Sequence, residues 1–99
     1  ALAERLGLDP MNTLSVIEAS SGQSWIGSDR MRRALANDFE PRAHVSLLAK
    51  DTGLAVSAAD AVAYDPPLGR LARDLFAQAM AHGWDQLDDA ALLKLMRQR

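Results

Sequence analysis

The stretch Val45–Val62, "VSLLAKDTGLAVSAADAV", is apolar almost throughout, yet it sets Lys50 beside Asp51 near its middle and follows them with Gly53. No alternation of polar and apolar residues runs through it, so it reads as one long helix, from about Arg42 to Ala63. On a wheel of about 100° per residue, Leu47, Leu48, Leu54, Ala55, Val56, Ala58, Ala59 and Val62 spread around most of the circumference, the pattern of a helix enclosed by protein. One polar strip interrupts it. Ser46, Lys50, Gly53 and Ser57 fall within about 60° of one another, so Lys50 rises from a line of small residues where another backbone or a ligand has room to approach. Asp51 falls elsewhere, among Leu47, Leu54, Ala55 and Ala58, where a carboxylate taken out of water needs a partner. A mid-helix glycine costs about 1 kcal/mol relative to alanine, a cost that makes sense where close approach at Gly53 is useful. Two readings stay open on these residues. Either Lys50 reaches back to water while Asp51 pairs with an arginine from a neighbouring helix, or both charges line a polar cleft.

Outward from this stretch, the remaining segments are helical as well. "ALAERLGLDP" looks like the end of a helix: Leu2 and Leu6 share a face and Gly7 is placed to be the left-handed residue after the last turn. No capping residue precedes Ala1, so the first helix is expected to be truncated. Asp9 and Pro10 form an N-cap followed by a proline at the first helical position, starting a helix to about Ala19 with Met11, Leu14 and Ile17 as its apolar stripe. "SSGQS" ends it in residues suited to a turn. A weaker helix runs from Ser24 to Asn37 with Trp25, Ile26, Met31 and Leu35 inward, and its Arg30, Arg32 and Arg33 read as a solvated face. After the long helix, Asp65 is expected to cap a helix whose first turn holds Pro66 and Pro67. Leu68, Leu71, Ala72, Leu75, Phe76, Ala79 and Met80 then repeat at threes and fours up to Gly83. A last helix spans about Asp88–Gln98, capped by Asp88 or Asp89, with Leu92, Leu95 and Met96 inward and Arg97 and Arg99 at the negative end of its dipole. The fold class is all-α, a compact multi-helix domain.

The bulk composition limits the function classes. The chain has 99 residues, enough for one domain, and its net charge of −2 with a pI near 5.5 offers no basic surplus for a phosphate backbone, so nucleic acid is not an expected partner. It has no cysteine, which removes disulfides, thiolate metal sites and a cysteine nucleophile and fits a reducing, cytoplasmic setting. No apolar run approaches the ~18 residues of a membrane span, and no membrane partner is expected. His44 and His82 are far apart in sequence and neither has another donor at metal-ligand spacing, so no metal site is assigned. The serines have no histidine and acid around them, and no glycine loop for phosphate is present.

The order of the segments carries further information. "LAERLGLDP", "ASSGQSW", "DFEPRAHVSLLAKDTGLA", "PPLGRLARDLFAQAMAHGW" and "DDAALLKL" together resemble the C-terminal helical domain of the β-hydroxyacid dehydrogenases, the family of 3-hydroxyisobutyrate dehydrogenase and tartronate semialdehyde reductase. The resemblance covers essentially the whole chain, and its most specific part is "KDTGLA" preceded by "DFEPR" and "SSGQSW". It implies an architecture like the C-terminal domain of 6-phosphogluconate dehydrogenase-type enzymes. An N-terminal Rossmann domain, absent from these residues, would bind NAD or NADP, and the helical domain would close over the nicotinamide, shape the pocket for a small hydroxyacid and build a homo-oligomer contact. By the same resemblance Lys50 looks like the lysine that reaches the cofactor and Asp51 like a pocket-shaping or structural acid, while Ser21, Gly22 and Trp25 match the loop that approaches the pocket. Many members carry an aromatic residue seven positions before the lysine. Ala43 stands there in this chain, so Phe39 is the candidate to supply that substrate contact. "PRAHVSLLAKD" together with "DDAALLK" is similar to the branch acting on sugar acids such as threonate.

The family's glycine-rich dinucleotide fingerprint and its catalytic lysine have no counterpart in the chain. None of these residues is therefore assigned as catalytic, and the chain alone is not expected to turn over substrate. The alternative from another class is a free-standing helical interaction module, in which the Leu68–Met80 stripe binds a partner helix and Lys50 and Asp51 form a structural ion pair.

Overall fold

A computed structural model describes all residues from Ala1 to Arg99 and contains helices and no strand. Six α-helices follow one another: α1 (Leu2–Arg5), α2 (Pro10–Glu18), α3 (Trp25–Leu35), α4 (Val45–Ala61), α5 (Pro67–Ala81) and α6 (Leu92–Arg97), the last entered through a single 3₁₀ turn at Asp89–Ala91. The all-α reading holds, and each of the six segments outlined in the sequence contains a helix.

Local chemistry explains most of the boundaries. Asp9 caps α2 by accepting the Asn12 backbone N–H at 2.7 Å, and Ser24 caps α3 by accepting from Gly27 at 3.0 Å. Gly7 takes φ +76° after α1, a left-handed conformation that only glycine adopts without penalty. Asp88 caps the 3₁₀ turn through Ala90 N–H at 3.1 Å.

Besides the 3₁₀ turn that delays α6 to Leu92, two boundaries differ from expectation. Helix α4 begins at Val45 rather than Arg42 because the segment before it is claimed by Asp88 and its neighbours. Arg42 N–H donates to Asp88 Oδ2 at 2.9 Å, Asp88 N–H donates to Phe39 O, and Asp89 N–H donates to Ala43 O. Asp65 does not cap α5. Its Oδ1 accepts from Arg70 Nε at 2.8 Å, and Pro66 takes the cap position without a side-chain bond.

The helices pack as two pairs. α4 lies along α5 in the most extensive helix contact, and α2 packs on α3. Between them runs the tail of the chain, with the 3₁₀ turn touching α3, α4 and α6. The core is small: Val45, Ala79 and Ala91 are fully buried, and Phe39, Phe76, Trp84, Leu87 and Leu92 pack around them. Leu14, Ala34, Leu93 and Leu95 are buried as well.

The expectation that α4 is enclosed by protein is corrected. Only Val45 and Val56 on α4 are buried, while Leu47 and Leu54 are exposed, Leu54 to 61%. The stripe on α5 behaves similarly: Ala79 is buried, Ala72, Leu75 and Phe76 are half-buried, and Leu68, Leu71 and Met80 face outward. Apolar periodicity specified the helices, but the chain supplies neighbours for only part of each apolar face.

Candidate functional site

Lys50 stands on the exposed strip of α4 that the sequence outlined. Ser46 and Gly53 are half-buried and Ser57 is exposed, and a Cβ placed on Gly53 would meet nothing within 4 Å. The lysine therefore rises beside open space. Its Nζ lies 3.1 Å from Asp51 Oδ1, and the two side chains are 60% and 51% exposed. This corrects the expected position of Asp51: the carboxylate remains in water and its partner is the adjacent lysine, not a neighbouring helix. An exposed ion pair of this kind contributes little to stability, of order 0–1 kcal/mol, so the pair is free to rearrange toward an incoming group. Gly53→Ala is expected to raise the stability of the chain by up to about 1 kcal/mol, since the new methyl meets open space while the helix gains propensity. The midpoint of urea unfolding reads this; a lower midpoint than the parent's would show that Gly53 serves the isolated fold.

Ser21 and Gly22 lie exposed in the turn between α2 and α3, and Trp25 opens α3 with 73% of its surface accessible. Trp25, expected inward, thus lies outside the core of this chain. Phe39 is placed differently. It packs against the Val45–Ala79–Ala91 core, and Lys94 Nζ stands 5.4 Å above its ring and 4.8 Å above that of Trp84. Phe39 is thus a residue of the core's edge. Lys50 and Asp51 belong to the α4–α5 pair, and Ser21, Gly22 and Trp25 belong to the α2–α3 pair, so the candidate residues form two groups on separate supports.

What joins these supports is a charged cluster, in place of the solvated arginine face and simple aspartate cap expected from the sequence. Asp88 is only 1% exposed. Its Oδ2 accepts from Arg42 N–H at 2.9 Å and from Arg33 Nη1 at 3.3 Å; its Oδ1 accepts from Ala90 N–H and lies 3.6 Å from Arg30 Nε. Arg30 Nε also donates to Asp89 Oδ1 at 2.9 Å, and its Nη1 donates to Asp29 Oδ2 at 2.5 Å. Arg42 Nη1 bonds the other Asp29 oxygen at 2.5 Å, while Arg33 also reaches Asp38 at 3.0 Å and Glu40 O. Of the three arginines expected to be solvated, only Arg32 is exposed, and it bonds Glu18. The signal available in the sequence was the concentration of arginine on one helix together with paired aspartates at a helix start.

The two adjacent carboxylates are driven apart in their proton affinity. Burial pushes Asp88 upward, but the backbone donors of Arg42 and Ala90, then Asp89 and Arg30, outweigh it and hold Asp88 below the ordinary aspartate value. Burial and then the neighbouring Asp88 raise Asp89, against the pull of Arg30. The signs differ for stability. Asp88 contributes stabilisation present above its unfolded pKa of about 3.9 and lost as the pH falls through its lower folded value. Asp89 contributes stabilisation present below about 3.9 and lost as the pH rises through its higher folded value. Asp89→Asn is therefore expected to gain on the parent chain as the pH rises from below 4 toward neutrality. Urea unfolding across that range measures it, and a pH-independent difference between the two would refute it.

Nothing in this arrangement forms a nucleophile with its base, and no group of three or more His, Cys, Asp and Glu side chains is placed to hold a metal ion. No helix is long and apolar enough to cross a membrane. What the surface offers is an exposed cation next to open space on one helix pair and an exposed turn with a tryptophan on the other.

Comparison with known proteins gives this surface a context. The L-threonate dehydrogenase of Escherichia coli K12 is 33% identical over 96 residues, which is 96% of this chain and 32% of that protein. A probable 3-hydroxyisobutyrate dehydrogenase of Mycobacterium bovis is 33% identical over 105 residues, covering 99% of this chain and 35% of the relative. The chain thus spans about a third of the length of the curated relatives it matches. Among solved structures, a 3-hydroxyisobutyrate dehydrogenase from Salmonella typhimurium superposes with a TM-score of 0.91 at 32% identity, over 95% of this chain and 33% of that one. The Mycobacterium tuberculosis 3-hydroxyisobutyrate dehydrogenase, solved with L-serine, gives 0.86 at 33% identity, over 97% of this chain and 35% of that one. The model of the family described as the NAD-binding part of NADP-dependent 3-hydroxyisobutyrate dehydrogenase matches residues 1–96, and the chain belongs to that family.

Proposed function

We propose that the chain is the C-terminal helical domain of an NAD(P)-dependent hydroxyacid dehydrogenase, and that it closes one wall of the cleft in which hydride passes between the nicotinamide and a small hydroxyacid. The observation that carries this reading is Lys50, a cation held on a rigid helix beside the open space at Gly53, with no buried carboxylate to occupy it. A cofactor carrying phosphates and a substrate carrying a carboxylate are both anions, and a lysine ammonium in a cleft recognises either. NAD or NADP would supply the hydride chemistry when bound, and this chain's part is to bind, orient and exclude water. Ser21, Gly22 and Trp25 form the opposite edge of the same cleft wall, and Asp51 holds Lys50 in place until the anion arrives. The catalytic lysine and the Rossmann domain belong to the rest of the enzyme. The relatives named for L-threonate favour a hydroxylated sugar acid as substrate, and the one solved with L-serine shows a small β-hydroxy acid as a ligand of a family member.

The test is a chimera in which this chain replaces the matching third of the E. coli L-threonate dehydrogenase. Oxidation of L-threonate and of 3-hydroxyisobutyrate is then followed by the appearance of reduced nicotinamide. Turnover supports the reading. A folded chimera without cofactor-dependent turnover on either acid refutes it.

The same reading includes a homo-oligomer contact. Leu54 on α4 and Leu68 and Leu71 on α5 present apolar surface on neighbouring helices, and surface of this kind associates in water. Sedimentation equilibrium of the chain is expected to give a dimer or larger species. A folded monomer at high concentration would count against the contact.

A further inference from the structure

Asp88 is buried, charged and far in sequence from the residues it binds, a costly arrangement that calls for a use. An ionised carboxylate with 1% exposure is tolerable only where its lone pairs are filled. Here they are, but by donors from different supports. Arg33, which donates to Asp88, and Arg30, whose charge stands 3.6 Å from it while its Nε donates to Asp89, come from α3, the helix that begins at Trp25 directly after the Ser21–Ser24 turn. The Arg42 N–H comes from the segment that enters α4, which carries Lys50. The Ala90 N–H comes from the tail between them. Asp29, on α3, repeats the link by bonding Arg30 on its own helix and Arg42 across the junction. The cluster of Val45, Ala79 and Ala91 draws on α4, α5 and the 3₁₀ turn and on neither α2 nor α3; the apolar contact from that pair is separate, with Leu14 and Ala34 buried and Leu14, Met31 and Leu35 facing Leu93 of α6 across one cavity.

We infer that Asp88 is a positioning residue that fixes the α2–α3 pair, with its Ser21–Trp25 edge, against the α4–α5 pair, with Lys50, and so sets the width of the cleft wall. The inference rests on the proposed function for the meaning of that wall, but the geometry it concerns is measurable without cofactor or substrate. Charge-assisted bonds from a rigid fork of arginine donors fix direction as well as distance. Replacing the carboxylate by an amide keeps its size and removes its charge. It also puts an N–H₂ donor among donors, so at least one arginine contact is lost while the apolar core of α4, α5 and the tail stays intact.

The absence of native cysteine allows clean placement of two spin labels. One pair, at Gln23→Cys and Ser57→Cys, spans the two supports; a control pair, at Ser57→Cys and Ala77→Cys, lies within α4 and α5. Distance distributions are recorded by double electron–electron resonance on the full 99-residue chain, parent and Asp88→Asn. The expected result is a shifted or broadened distribution for the spanning pair, an unchanged one for the control pair, and an unchanged helical circular dichroism spectrum. A spanning distribution identical to the parent's overturns the inference. So does equal broadening of both pairs, which marks a general loss of packing. Should Asp88→Asn fail to fold, Arg33→Gln breaks the same link from the α3 side, with the same expected pattern and the same two overturning results. In the chimeric dehydrogenase, Asp88→Asn is expected to lower kcat by as much as ~100-fold through misplacement of the wall, with partial rescue by Asp88→Glu. A chimera inactive with every wall residue intact speaks against the proposed function; an unmoved spanning distance speaks against the positioning role.

Discussion

Lys50→Ala is expected to lower kcat/KM of the chimeric dehydrogenase by roughly 10- to 100-fold, the equivalent of the 1.5–3 kcal/mol typical of a hydrogen bond to a charged group. The loss is expected at the level of function alone. Lys50 is 60% exposed and its partner in the structure is the equally solvated Asp51, so truncation leaves no buried charge behind and removes no packing. Surface substitutions of this type change stability by about 0.5 kcal/mol or less, and alanine is the better helix former. Urea unfolding of the isolated chain and steady-state kinetics of the chimera, measured on the same substitution, separate the two effects. Lys50→Arg keeps the positive charge and is expected to retain part of the activity, since guanidinium and ammonium place their donors differently. A Lys50→Ala chimera with parental kcat/KM would remove Lys50 from the cleft and return it to an ordinary surface ion pair. The companion substitution Asp51→Ala discriminates further: if Asp51 only holds Lys50 in place, its loss costs less than the loss of the lysine.

The helical content was legible in the sequence because its causes are local. Val45–Val62 shows its helix in the spacing of its own residues, and Asp9, Ser24 and Asp88 cap by reaching a backbone N–H two or three positions away. The polar strip of Ser46, Lys50, Gly53 and Ser57 follows from the same periodicity and survives in the structure as an open face.

Most of the differences share one physical cause, a partner distant in sequence or missing. The start of α4 moved to Val45 because a carboxylate 46 residues away takes the Arg42 N–H. Arg30 and Arg33 left the solvated face because Asp89 and Asp88, 59 and 55 residues away, draw them inward. Asp65 is the local exception: Arg70, five positions on, holds its carboxylate in a charge-assisted bond, and Pro66 takes the cap position. Asp51 has apolar neighbours on its own helix, but no other element covers them, and its side chain stays 51% exposed. A helical wheel reports which residues share a face, and only the packing of other elements decides whether that face is covered.

The largest stability effect in the chain is expected at Asp88. Asp88→Ala should destabilise the fold by about 3–5 kcal/mol, the range for removing one partner from a buried ion pair, from a total that for a domain of this size is of order 5–15 kcal/mol. The cost has identifiable parts. Arg33 Nη1 loses a carboxylate at 3.3 Å, Arg30 Nε loses a charge at 3.6 Å, and the N–H groups of Arg42 and Ala90 lose their acceptor. Each buried donor left without a partner costs about 1–3 kcal/mol. Arg33 keeps Asp38 and Glu40 O, and Arg30 keeps Asp29 and Asp89, so the arginines are partly compensated while the two backbone groups are not. Asp88→Asn is expected to cost less, because its amide oxygen still accepts one backbone N–H. The order parent, Asp88→Asn, Asp88→Ala in unfolding midpoint follows, and the gap between parent and Asp88→Asn should narrow as the pH falls through the folded pKa of Asp88, where the parent's own carboxylate takes up a proton. Equal midpoints for parent and Asp88→Ala at neutral pH would mean that the cluster is an incidental meeting of charges, and that the apolar contacts alone hold α3 to the tail. A wide gap at neutral pH that persists unchanged in acid would instead assign the loss to the shape of the side chain rather than to its charge.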